Sequence, residues 1–212
     1  MKIVLASNSP RRRELLSGLG LDYEVRTLKG LDESYPEGLS MEEIPQYISR
    51  KKAAAYSLDA DELLITADTI VWLDGEVLGK PADEEEARRM LRKLSGRTHQ
   101  VVTGVTLSFI GQFDNLQLDN SNREIVKSSN CHIKLHSFSS VSQVTFAQLT
   151  DAEIEYYVTH YRPLDKAGAY GIQEWIGYIG VTSIEGSYFN VMGLPVQRLY
   201  TEMKKLGFIH NT

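Results

Sequence analysis

Ser7-Asn8-Ser9-Pro10-Arg11-Arg12-Arg13 sets two hydroxyls and three guanidinium groups side by side near the start of the chain. Ser9 stands where a helix N-cap is wanted, and Pro10 suits the first helical position. The helix macrodipole favours acids in that first turn, yet this one carries arginines. Cations beside the bare backbone N–H groups of a helix N-terminus make an anion cradle, which is phosphate-binding chemistry. Three solvated arginines on an ordinary first helix account for the same residues, so this segment alone leaves both readings open.

Asp68 is the second chemical signal, because it breaks the apolar run Leu63 to Val71. A carboxylate buried without a partner costs on the order of several kcal/mol. It is expected either at a strand end facing a cleft or in contact with something it binds; a hydrogen-bonded turn aspartate is the plainer alternative. Gly79-Lys80-Pro81 then holds a lysine between two backbone-restricting residues, just before a helix. The flanking pattern of a Walker A loop is absent. Asp165-Lys166-Ala167-Gly168-Ala169-Tyr170-Gly171-Ile172-Gln173 is glycine-spaced, as a loop whose backbone approaches a ligand must be. His99 is weighted towards a structural role, and His132, His136, His160 and His210 lack ligand spacing. Most of the tyrosines, with Trp72 and Trp175, are read as packing and rim residues.

The elements that must position these groups alternate between strand and helix, an α/β pattern. Lys2 to Ala6 reads as a strand, followed by a helix with Leu15, Leu16 and Leu19 on one face and Gly20 as its stop. Ser40-x-x-Glu43 is a capping box for a helix expected to run to about Leu58, with Met41, Ile44, Ile48 and Ala55 inward. Leu63 to Ala67 and Thr69 to Leu73 are β-rich, and Asp74-Gly75 is a hairpin turn into Glu76-Val77-Leu78. Asp83 caps the clearest helix, whose stripe is Ala87, Met90, Leu91 and Leu94 before Gly96. Thr98 to Ile110 reads as a long strand. Thr150-x-x-Glu153 is a second capping box, before a helix bearing Ile154, Tyr157 and Val158. A last helix follows Pro195, with Val196, Leu199, Tyr200 and Met203 inward and Gly207 at its end. The polar stretch Gly111 to Ser140 is read as either an extended hairpin or a mobile insertion.

With 212 residues the chain is expected to form one domain, or one domain with two lobes, around a real core. A net charge of -5 argues against a broad nucleic-acid surface, so any basic site must be local. The single cysteine, Cys131, excludes an internal disulfide. No apolar run is long enough to cross a bilayer, and the N-terminus does not read as a signal peptide, so cytoplasmic residence is expected.

Taken in order, Ser7 to Arg12, Ala67 to Thr69, Gly79 to Pro81, Lys93 to His99, Asp165 to Gln173 and Gly186 to Pro195 resemble the Maf family of nucleoside triphosphate pyrophosphatases. The likeness spans nearly the whole chain. It implies a twisted mixed sheet flanked by helices in a Maf/ITPase-like fold, with two lobes and a central cleft. It implies hydrolysis of a nucleoside triphosphate to the monophosphate and pyrophosphate with Mg²⁺ or Mn²⁺. Asp68 matches the proposed general base and Glu33 a metal-site carboxylate; Asp68 can also supply a metal ligand, and the sequence leaves open which of its two roles dominates. Lys52 and Lys80 match the family's lysines, and Ser7, Arg11 and Arg12 its phosphate loop. Arg12, Thr69 and Gln173 match the subgroup associated with dTTP and UTP. A homodimer is also implied, with no nucleic-acid or membrane partner.

The carry-over makes chemical sense. Dense triphosphate charge needs cations, Mg²⁺ or Mn²⁺ prefers oxygen ligands, and a carboxylate near the attacking water can take its proton. Gln173 carries a donor and an acceptor for a pyrimidine edge. Two departures stand out. Lys51 occupies a place where the family usually has Glu, and Gly111 to Ser140 is longer than the family norm. Two rival readings remain open: a purine-type, inosine-directed pyrophosphatase, and a non-catalytic nucleotide-binding regulator of septum formation.

Overall fold

In the computed structural model the described residues are 1–110, 123–128 and 131–209. Apolar β-rich runs become the strands β1 (Lys2–Leu5), β2 (Tyr23–Val25), β3 (Glu62–Leu73), β4 (Glu76–Leu78), β5 (Thr98–Ile110), β6 (Arg123–Ser128), β7 (Cys131–Phe146) and β8 (Val181–Glu185). Capped or amphipathic runs become the helices α1 (Pro10–Ser17), α2 (Glu43–Ala54), α3 (Glu84–Leu94), α4 (Asp151–Tyr161), α5 (Trp175–Gly180), α6 (Tyr188–Met192) and α7 (Val196–Lys205). The sheet is mixed, in the order β2-β1-β3-β5-β7-β6, with β4 on β3 and β8 on β7. β1 runs parallel to β2 and β3, whereas β3/β4, β6/β7 and β7/β8 are antiparallel. The expected α/β class is the observed one.

Two compact units divide the chain. The first holds Met1–Asp68, Thr103–Ser140 and Gly193–Thr212. Its core includes Val4, Leu5, Leu16, Ile48, Leu64 and Leu107. Here α2 is seated on β5 by a close approach: a side chain at Gly104 would lie 2.3 Å from the Pro45 backbone, so only glycine fits. Ser49 Oγ meets Thr106 Oγ1 at 2.8 Å, and Thr66 Oγ1 donates to the Ser49 carbonyl at 2.8 Å. This buried polar seam sets the rotation of α2 against the sheet. The second unit holds Thr69–Val102 and Val141–Met192. Leu91, Leu94, Phe146, Ile154, Tyr157 and Ile176 are buried within it.

Local chemistry explains several element ends. Ser9 accepts from the Arg12 amide, Asp83 from Glu86 and Thr150 from Glu153, the last as a complete capping box. Asp74 and Gly75 both have positive φ, 50° and 86°, with Leu73 opposite Glu76, as a two-residue hairpin turn requires. Other expectations need correction. Asp68 does not interrupt a strand; β3 runs through it from Glu62 to Leu73. The helix expected to reach about Leu58 stops at Ala54, where the Ala55 and Tyr56 amides reach back to the Lys52 and Ala53 carbonyls. Ala53, not Ala55, completes its buried face. Of the Gly111 to Ser140 stretch, residues 111–122 and 129–130 lie outside the described residues. Arg123–Ser128 pairs with β7 from Arg123 opposite His136 to Ser128 opposite Cys131. Among the described residues, no helix is long and apolar enough to cross a membrane.

Candidate active site

In the first unit, β3 delivers Asp68 and the last turn of α2 delivers Lys52. The side chains of both are only 12% exposed, and Lys52 Nζ lies 2.7 Å from Asp68 Oδ1. Residues 26–42 form no helix or strand, and from this segment Glu33 reaches the same ammonium, with its Oε1 at 2.8 Å. Three predicted site residues thus converge on one point. Lys52 supplies the partner that a carboxylate inside an apolar strand demands, and the burial cost of Asp68 is offset by that charged hydrogen bond.

The oxygen pair also bears on metal binding. Asp68 and Glu33 already gather around one cation, the lysine ammonium. Two hard oxygen donors fit Mg²⁺, which takes one or two carboxylates and fills the remaining positions with water and substrate phosphate. Among the described residues, no group of three or more His, Cys, Asp or Glu is arranged to hold a metal. Asp68 and Glu33 are the two carboxylates that could serve as ligands there.

The arginine segment divides its work. Arg12 Nε donates to the Gly193 carbonyl at 2.8 Å and its Nη1 to the Ala67 carbonyl at 2.9 Å. It therefore ties α1 to the residue that precedes Asp68. Burial pulls its guanidinium below the usual value and the charge of Asp68 pulls it back up; it stays a cation. Ser7 is buried just after β1, and its Oγ accepts from the Ser9 amide at 3.2 Å. Arg13 Nη2 donates to the Ser7 carbonyl at 3.3 Å. Arg11 is half-buried on the first turn of α1.

Lys51 has a contact of its own. Its Nζ reaches Asp32 Oδ2 at 2.5 Å and Ser34 Oγ at 2.9 Å, on either side of Glu33 in sequence. Hydrogen bonds from Lys51, then from the Ser34 amide, hold the Asp32 carboxyl down at about 2. The unusual lysine thus grips the segment that carries Glu33 rather than competing with Lys52.

The second unit holds Thr69, Lys80 and Gln173. Thr69 is half-buried, next along β3, and Lys80 is exposed. The Gly168 amide donates to the Gly79 carbonyl at 3.0 Å, which fixes the residue before Lys80. A side chain at Gly168 would meet Val71 at 2.9 Å, so the loop lies directly on β3. Gln173 sits in a turn closed by the Glu174 amide on the Gly171 carbonyl at 2.9 Å. Its Oε1 is buried and accepts no hydrogen bond from the described residues.

The sequence places Tyr157 on a helix face and Lys166 in the glycine-spaced loop, but it gives neither of them, nor Glu174, a role at the site. Tyr157, Lys166 and Glu174 surround that turn, and they come from α4 and two points of the loop, with no spacing that would connect them. His99, weighted towards structure, is buried with its Nε2 2.7 Å from the Tyr170 hydroxyl.

Residues 2–206 match the family model described as Maf-like protein. Over 207 residues the chain is 61% identical to the dTTP/UTP pyrophosphatase of Phocaeicola vulgatus, covering 97% of this chain and 96% of that one. It is 58% identical to the dTTP/UTP pyrophosphatase of Bacteroides thetaiotaomicron over the same shares. To that of Porphyromonas gingivalis it is 52% identical over 210 residues, covering 97% and 94%. A looser likeness is to the solved Ham1 protein of Staphylococcus aureus, with a TM-score of 0.45 at 16% identity over 96% and 100% of the two chains.

Proposed function

The chain belongs to the Maf family, and from that premise we infer that it hydrolyses dTTP and UTP to the nucleoside monophosphate and pyrophosphate. The observation that carries this reading is identity of 61% to a dTTP/UTP pyrophosphatase over almost the full length of both chains. The role is house-cleaning of nucleotide pools, and modified pyrimidine triphosphates fit the same chemistry. The substrate is a free nucleotide, and the enzyme works as a homodimer.

Asp68 serves as the general base. Rigid placement on β3 and the hydrogen bond from Lys52 orient its carboxylate to take a proton from the attacking water. The water oxygen bonds to phosphorus as the anhydride P–O bond breaks, and the pyrophosphate or nucleotide oxygen leaves with the bonding pair. Lys52, Lys80, Arg11 and the N-terminal amides of α1 beside Ser7 neutralise phosphate charge as it builds. Arg12 holds the backbone on which Asp68 rides. Glu33 and Asp68 would hold a divalent cation, which would supply further positive charge beside the phosphates. Thr69 and Gln173 select the base. The unpartnered buried acceptor on Gln173 suits the N3–H of uracil or thymine, which cytosine lacks.

Pyrophosphate release from dTTP, UTP, CTP, ITP, GTP and 7-methyl-GTP, with Mg²⁺ or Mn²⁺, tests the reading. Selective turnover of dTTP and UTP is expected. Asp68→Asn should lower kcat by about 10²–10⁴-fold while nucleotide binding persists. Turnover confined to purines would overturn the pyrimidine assignment, and undiminished rates in Asp68→Asn would remove this carboxylate from the mechanism.

A further inference from the structure

Gln173 is one residue of a turn gripped from both sides. The Tyr157 hydroxyl accepts from the Gly171 amide at 3.0 Å and donates to Glu174 Oε2. One phenol therefore holds the first and last residues of the turn whose third residue is Gln173. The other oxygen of Glu174, Oε1, lies 3.2 Å from Lys166 Nζ, which also donates to Asp165 Oδ1 at 2.7 Å. The Lys166 side chain is 9% exposed and Tyr157 is fully enclosed, so the grip works away from bulk water. There is no slack on the backbone side. A side chain at Gly171 would lie 2.8 Å from the Glu174 carboxylate, and one at Gly177 would overlap the Ile172 carbonyl at 1.8 Å.

Packing alone does not call for this arrangement. A buried lysine and a half-buried carboxylate cost desolvation, and an apolar pair of the same size would fill the space. What the ionic grip adds is directional restraint on a short turn. The residue at its centre keeps an enclosed amide oxygen that no group among the described residues satisfies. Such an oxygen is useful only where it stays put. A side-chain amide has a donor and an acceptor a short distance apart, and a small displacement or a turn of the amide would let it pair with cytosine as well as with uracil.

We propose that Tyr157, Lys166 and Glu174 are positioning residues that fix Gln173 and thereby set the preference for uracil and thymine over cytosine. The proposal rests on the reading of Gln173 as the group that meets the base. It assigns base selectivity to a clamp behind the contacting residue as well as to that residue.

The test compares kcat/KM for UTP with that for CTP in the full-length protein, alongside its melting temperature. Gln173→Ala establishes how much of the ratio depends on the amide. Tyr157→Phe keeps the ring and removes both hydrogen bonds, and it should lower the ratio about fivefold, chiefly through a higher KM for UTP. Glu174→Gln, which loses the ion pair to Lys166, should move the ratio in the same direction and serves if Tyr157→Phe does not fold. In a Gln173→Ala background neither change should lower the ratio further, because a clamp acts only through the residue it holds. An unchanged ratio in folded Tyr157→Phe and Glu174→Gln, with a reduced ratio in Gln173→Ala, would overturn the clamp alone. An equal further drop in the Gln173→Ala background would overturn it too, since the residues would then act independently. A ratio unmoved by Gln173→Ala itself would instead overturn the reading on which the clamp rests.

Discussion

His99 stands between Phe146 and Tyr170, meeting both rings edge to face at 5.3 and 5.4 Å, and only 1% of it is exposed. Its Nδ1 is buried and makes no hydrogen bond with any described residue. A second proton would place a charge in an apolar cage, and burial accordingly drives the imidazole from 6.5 down to about 4. The sign of the consequence follows. Between those two values the unfolded chain holds a proton that the folded chain refuses, so stability rises with pH across the window. The penalty is absent above 6.5, grows as pH falls and levels off below about 4, reaching about 3 kcal/mol for a shift of that size. His99→Gln should flatten this slope. Urea midpoints at about pH 7.5 and about pH 4.5 check it: the wild type should lose more stability between them than the variant does. Equal losses would mean that His99 is charged inside the fold. Because the same imidazole meets the Tyr170 hydroxyl, the variant also shows how far the start of the Gln173 turn depends on that contact.

At the scale of elements, α2 is the organiser of the first unit. Gly104 and the hydroxyl seam seat it on the sheet, and its last turn presents Lys51 and Lys52 in succession. Lys52 faces Asp68, while Lys51 grips Asp32 and Ser34; Tyr56, just beyond, accepts from the Leu28 amide at 3.1 Å. Residues 26–42 have no ladder of their own, and Leu31 packs against Val4, Ala53, Tyr56 and Leu64. The position of Glu33 therefore depends on this helix end. Lys51→Ala should speed hydrogen exchange of the amides from Thr27 to Glu42 several-fold and raise the KM for UTP. The melting temperature should barely move, because an exposed ion pair stabilises little. Unchanged exchange across the segment would show that Lys51 does not order it. Sequence patterns disclose some elements of this chain and hide others for physical reasons. The helices at Glu84–Leu94 and Asp151–Tyr161 announce themselves through caps and apolar stripes. β2 has three residues and α6 only five, too few to show a period, and β8 carries no clean alternation. Asp68 stands out in a row of aliphatics, whereas the grip of Lys51 on Asp32 joins residues with no spacing rule between them.

On the proposed mechanism the whole molecule pairs two kinds of work. In it Asp68, Lys52 and Glu33 of the first unit, with Lys80 of the second, address the triphosphate and the water, which are common to every nucleotide. Gln173 and its clamp in the second address the base, which distinguishes one nucleotide from another. With a net charge of -5, the chain as a whole does not attract a polyanion, so local cations must carry the recognition of phosphate. This division predicts how variants combine. Glu33→Gln should lower kcat/KM for dTTP, UTP and CTP by one common factor, about tenfold or more, because it weakens charge neutralisation whatever the base. Gln173→Ala should change the ratios among the three and leave the metal dependence of each rate alone. The double variant should then show the product of the two effects, within about 0.5 kcal/mol in transition-state energy, as independent sites do. Steady-state kinetics on the three nucleotides with the two single variants and the double one decide the matter. A coupling well above that limit, or a base-dependent loss in Glu33→Gln, would mean that hydrolysis and selection share residues, and the division of labour between the two sets of residues would have to be abandoned.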